Sequence, residues 1–128
     1  MLIVDVSATS FVSFVVVILG TIVTGSGPHA GDLKAKRFGF QVPTVAWIHA
    51  YAVMALLALT IIYYIVGSAA TKRAIIFLAL IIIGQGALGF VQYYQGVPEI
   101  LVGAHLLGAT IFWILSWRVW LSATKRNG

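Results

Sequence analysis

Four long apolar runs constrain this chain more than any other feature. They cover about residues 10–24, 44–66, 74–94 and 98–121. An α-helix needs about 20 apolar residues to cross the hydrocarbon core of a bilayer. The first run is the shortest, but residues 1–6 are also largely apolar and allow an earlier start. In lipid no water satisfies backbone amides, so only helices and closed barrels can span it. Barrel strands alternate apolar and polar residues, whereas these runs are apolar throughout. The expected fold is therefore all-α: a membrane four-helix bundle of two helical hairpins, forming one domain over residues 1–128.

Composition agrees. Hydrophobic residues make up 61%, charged residues 9%, and the mean hydropathy is +1.04. A soluble domain carries about 25% charged residues, so an ordinary water-soluble globule, a disordered tail and a nucleic-acid module are excluded. The chain has no cysteine, which removes disulfides, thiolate catalysis and Cys-ligated zinc or iron–sulfur sites. No basic residue precedes the first run, so it reads as a retained helix, although the small residues of Gly25-Ser26-Gly27 leave cleavage open. The net charge of +5 reads as membrane topology. With four spans, Lys72, Arg73, Arg118, Lys125 and Arg126 share one side with Asp5. Lys34, Lys36 and Arg37 share the other with Asp32 and Glu99. The positive-inside rule then predicts a multi-pass cell-membrane protein with both termini cytoplasmic. The loop 25–43 and the tight turn Gln95-Gly96-Val97 fall outside.

A weak internal repeat runs through the sequence. Gln41-Val42-Pro43-Thr44 leads into the second span and Gln95-Gly96-Val97-Pro98-Glu99 into the fourth. Each proline sits where a helix can start without its missing N–H. His49 follows Pro43 by six residues, and His105 follows Pro98 by seven. The spans before them carry Gly20-Thr21-Ile22-Val23-Thr24-Gly25 and Gly84-Gln85-Gly86-Ala87-Leu88-Gly89. Two hairpins of similar plan, a duplication, fit this pattern.

His49 and His105 are the only ionisable side chains well inside the apolar runs. At 1.5 Å rise per residue each lies roughly 9–11 Å below its proline. The second and fourth spans run the same way, so the two imidazoles sit at nearly equal depth. Zinc wants four ligands, and no cysteine or nearby carboxylate completes a set. A haem brings four nitrogens and needs only two axial ligands, for which histidine is common. Four-helix bundles place cofactors between facing helices in this way. Each histidine can instead be a hydrogen-bonding residue within the membrane.

Small neighbours (Ala46, Ala50, Ala104, Gly108 and Ala109) leave room for a flat ring or for close helix packing. Trp47, Tyr51, Phe90 and Trp113 are available as walls. Gln85 and Gln92, seven apart, share one helix face and can bond a cofactor edge or a neighbouring helix. Arg37, with Lys34 and Lys36, can pair with haem propionates or remain solvated. Tyr63, Tyr64, Trp117 and Trp120 read as an aromatic belt at the cytoplasmic boundary. His29 reads as a loop residue rather than a ligand. No Ser-His-Asp set, phosphate loop or metal-hydrolase motif is present. A small b-type cytochrome and a non-haem scaffold or small transporter are the competing classes; the lack of an intramembrane acid weighs against a proton-coupled transporter.

Several segments together resemble the haem A synthase family. They are Thr24-Gly25-Ser26-Gly27-Pro28-His29-Ala30-Gly31-Asp32, Trp47-Ile48-His49, Gly89-Phe90-Val91-Gln92-Tyr93-Tyr94 and Val97-Pro98-Glu99-Ile100-Leu101-Val102-Gly103-Ala104-His105. The resemblance is to the family's C-terminal half and covers nearly the whole chain. It implies a membrane oxidoreductase that turns a haem O methyl group into the formyl group of haem A for terminal oxidases. It also implies that His49 and His105 ligate a haem b. The family's N-terminal half holds the substrate haem, with an acid three residues before its first histidine. Here that position is Ala46. By resemblance the chain then acts with a separate N-terminal half, is part of a longer protein, or works as a compact homo-oligomer; its electron donor is unknown.

Overall fold

The computed structural model describes residues 6–28 and 34–124. His29, Asp5, Asp32, Lys125 and Arg126, which entered the reading of the loop and the charge balance, lie outside the described residues. Four helices follow one another: α1 (Val6–Ser26), α2 (Val42–Val66), α3 (Ala69–Tyr94) and α4 (Glu99–Thr124). All four are long and apolar enough to cross a membrane. Large side chains such as Phe11, Ile65, Leu80 and Ile100 lie exposed on the outside, as suits a surface solvated by lipid. All four helices run past the expected spans at one end or both. α3 starts at Ala69, because Lys72 and Arg73 interrupt the apolar run but not the helical backbone. Their charges lean over the rings of Tyr64 and Phe77, at 5.1 and 6.0 Å from the centroids. α4 continues to Thr124.

Each helix packs on two others: α1 on α2, α2 on α3, α3 on α4 and α4 on α1. Among the described residues no contacts run between α1 and α3 or between α2 and α4. The bundle is thus a square with α2 and α4 on a diagonal. Consecutive helices pack side by side and reverse direction at each step, so α2 and α4 run in the same direction.

The buried side chains trace one stripe per helix, and the stripes repeat. On α2, Leu56, Thr60 and Tyr63 lie 7, 11 and 14 residues after His49; on α4, Phe112, Ser116 and Val119 lie at the same steps after His105. On α1, Val16, Ser13, Thr9 and Val6 lie 4, 7, 11 and 14 residues before Gly20. On α3, Gln85, Ile82, Leu78 and Ile75 take those steps before Gly89. The repeat glimpsed at the helix starts therefore extends through the whole core. Leu78, Leu56, Ile75 and Val119 are almost fully enclosed. This core fills the half of the bundle that bears the two ends of the chain. Among the described residues Val102 is the one buried hydrophobic residue in the other half, where the histidines are. Tyr63, expected at the membrane boundary, belongs to this core, and Trp120 packs against it. Tyr64 and Trp117 are exposed, as a belt requires.

The two hairpins differ in their connections. The α1–α2 loop folds back along α1: the Phe38 N–H donates to the Gly25 carbonyl at 3.1 Å, and the Phe38 ring covers Gly25. The α3–α4 turn is tight. Gly96 is left-handed (φ 75°), the Val97 N–H donates to the Gln92 carbonyl at 2.8 Å and the Gly96 N–H to Tyr93 at 3.4 Å. This is the Schellman arrangement that ends many helices. Val97 is left-handed as well, at φ 61°, a conformation that strains a β-branched residue by about 1–3 kcal/mol. Val97→Gly is expected to stabilise the bundle by about 1 kcal/mol after the entropy cost of glycine, measured by unfolding in mixed detergent. A lower stability would show that the turn depends on the valine side chain.

Candidate functional site

The core stripes continue beyond the packed half into four special positions. On α2 and α4 the next inward residues are His49 and His105; on α1 and α3 they are Gly20 and Gly89. Each histidine ring lies over the glycine of its own hairpin partner. A Cβ at Gly20 would stand 3.2 Å from His49 Cε1, and one at Gly89 would stand 3.3 Å from His105 Cε1. The glycines let both rings tuck inward between helices. His49 is seven residues from the start of α2 and His105 six from the start of α4, so they differ in depth by about one helical rise of 1.5 Å. They stand on the two diagonal helices of the square.

Hydrogen bonding at this level is incomplete. The Nδ1 atoms of His49 and His105 are enclosed without a partner, and so are Gln85 Oε1 and Gln92 Oε1. A buried polar atom left unpaired costs about 1–3 kcal/mol, and four such atoms gather at one end of this bundle. Gln85 and Gln92 both point inward on α3, as their seven-residue spacing predicts. The Gln85 amide lies directly on Gly108, where even a methyl group would collide with it. Lower down, Thr9 Oγ1 and Ser13 Oγ are also enclosed and unpaired; Thr60, by contrast, donates to the Leu56 carbonyl at 2.7 Å.

Other expected residues fall elsewhere. Trp47, Tyr51 and Phe90 are 43, 63 and 55% exposed. They face outward and do not wall the space between the histidines, because each sits off its helix's inward stripe. Trp113 is half-buried and meets Phe14 and Trp117 instead. Arg37 lies in the loop over the end of α1, where Nη2 donates to the Pro28 carbonyl at 2.6 Å and Nη1 is enclosed without a partner. An apolar groove of about 430 Å³, lined by residues including Leu19, Ile22, Phe40 and Ile48, runs between α1 and α2 on the lipid side.

Among the described residues no three His, Cys, Asp or Glu side chains cluster as ligands for a metal ion. The site offers two imidazoles and two amides within an apolar surround. Two imidazoles of this kind can serve as axial ligands to a group that brings its own equatorial donors. The sequence reading overlooked the part played by Gly20 and Gly89 beneath the two rings. The available signal was the equal placement of Gly20 and Gly89 near the ends of the two odd helices.

Comparison with protein-family models, curated proteins and solved structures finds no match for this chain.

Proposed function

We propose that this chain is a membrane haem protein in which His49 and His105 hold one haem b, and that it serves in the haem A synthase reaction. In that reaction a methyl group of haem O is oxidised to the formyl group of haem A. One observation carries the reading: two inward imidazoles at one depth on parallel, diagonal helices, each with an unpaired ring nitrogen and no third ligand beside them. The donor set fits a haem iron and suits a free ion poorly, since a free ion would lack ligands. Bound there, the haem would supply one-electron redox chemistry.

The remaining roles belong to the chain. Gly20 and Gly89 give the imidazoles room to turn toward the axis. Gln85 and Gln92 offer amides to the edge of the ring system. Arg37, with Lys34 and Lys36 at the loop end, compensates carboxylates there. The apolar surround keeps water from the iron. By the positive-inside rule the loop end faces outward and both termini face the cytoplasm. Ala46 leaves His49 without a neighbouring acid, so a group that handles protons during methyl oxidation comes from a partner half or a second copy of the chain. Ala46 equally suits a second reading, a small bis-histidine b-type cytochrome that passes electrons within the membrane.

The test is spectral and then metabolic. Protein purified from haem-replete cells should show a reduced-minus-oxidised haem b signal; a colourless product would support a non-haem scaffold. Cells lacking the gene should accumulate haem O and lose haem A. If haem A is unchanged while the purified protein is red, the cytochrome reading stands instead.

A further inference from the structure

The two hairpins differ at a matched pair of positions one turn from the histidines, and that difference points to an unequal pair of ligands. The repeat places Gln85 on α3 where α1 has Val16, four residues before Gly89 and Gly20 respectively. It likewise places Gly108 on α4 where α2 has Ala52, three residues after His105 and His49. The substitutions belong together: the Gln85 amide occupies the space that a side chain at 108 would fill. On the first hairpin His49 Nδ1 is enclosed and unpaired, and the matching position holds Val16, whose side chain offers no acceptor. On the second, His105 Nδ1 and Gln85 Oε1 are both enclosed and both unpaired. One is a potential donor and the other an acceptor. They lie one helical turn apart in depth, on adjoining helices.

We propose that Gln85 is a positioning residue for His105. Its Oε1 accepts the Nδ1–H of His105 when Nε2 turns to the iron. The inference rests on the haem-binding reading above and adds to it the inequality of the two axial ligands. A ligating histidine nearly always gives its other ring N–H to a carbonyl or carboxylate, which fixes the tautomer and raises the basicity of the ligand. His49 has no such side-chain acceptor, because Val16 and Ala52 stand at the matching positions. His105 is served by an amide side chain, with Gly108 as the space it needs. A more basic imidazole favours ferric over ferrous iron, so Gln85 holds the potential of the couple down.

The test compares Gln85→Leu with Gln85→Glu in the full-length protein reconstituted with haem b, by spectroelectrochemical titration and low-temperature electron paramagnetic resonance. Gln85→Leu removes the acceptor. It should cut the preference for ferric haem about tenfold, equivalent to about 59 mV upward for a one-electron couple. Loss of such an outer partner also weakens retention of the group by about 10–100-fold. Gln85→Glu supplies a stronger acceptor and should move the potential the opposite way, with a changed ferric g-value spread. Shifts of the same sign in both variants, or no shift in either, would overturn the role of Gln85 and leave haem binding intact. A wild-type protein that takes up no haem overturns the underlying reading instead, and this proposal with it. Should Gln85→Leu fail to fold, Gly108→Ala displaces the amide by another route, and the same upward shift is expected.

Discussion

Replacing His49 or His105 by alanine is expected to abolish the low-spin bis-histidine spectrum of the haem-loaded protein. A haem held between two imidazoles loses its six-coordinate state when either is removed. Neither ring belongs to the enclosed core, which begins seven residues away at Leu56 and Phe112, so both variants should remain helical and monodisperse in detergent. The control is His29→Ala, which should keep the spectrum. If His29→Ala bleaches the protein and His49→Ala does not, the ligands have been wrongly assigned. Equal loss from His49→Ala and His105→Ala supports one shared iron; two independent half-intensity signals would mean two separate sites.

The second large effect concerns the glycines beneath the rings. Gly20→Leu and Gly89→Leu should each weaken haem retention by roughly ten- to a hundredfold, since overpacking costs about 1–3 kcal/mol. At both positions the first added carbon already approaches a histidine Cε1 closely, at 3.2 and 3.3 Å; the branched end of leucine would occupy the ring's own volume. Alanine is expected to be tolerated with a small shift of the ring. Gly84→Leu and Gly103→Leu serve as controls, because nothing lies within 4 Å of a Cβ at either position. Haem transfer to apomyoglobin measures the retention. If Gly84→Leu proves as damaging as Gly89→Leu, the effect is general to glycine in these helices and not a property of the contact with His105.

Much of this arrangement is readable from the residues alone. The four spans, the tight turn at Gly96 and the level placement of His49 and His105 all follow from hydropathy, helical rise and proline positions. The helix ends were less accurate. Hydropathy registers Lys72 and Arg73 as interruptions, while the backbone of α3 passes through them and their charged ends rest on Tyr64 and Phe77. Side-chain facing was the hardest part. On a water-soluble helix a polar stripe marks the outside. On α2 nearly every residue is apolar, so nothing in composition says that Tyr63 points in and Tyr51 points out. The same gap explains why Trp47 and Phe90 were expected to line the site and instead face the lipid. What does mark the inner face is the sequence of small and polar residues, namely Thr9, Ser13 and Gly20 on α1, and His49 and Thr60 on α2. Lipid is as apolar as leucine, and helices associate in it through close contact and hydrogen bonds. The inward stripe is therefore written in size and polarity, and it becomes visible when the two hairpins are compared position by position.

The enclosed core sits wholly toward the chain ends, and the histidine level lies outside it. Such a bundle can assemble as an empty receptacle, clamped at its base. Were the proposed haem to bind there, it would enter a level of the bundle that the enclosed core does not close.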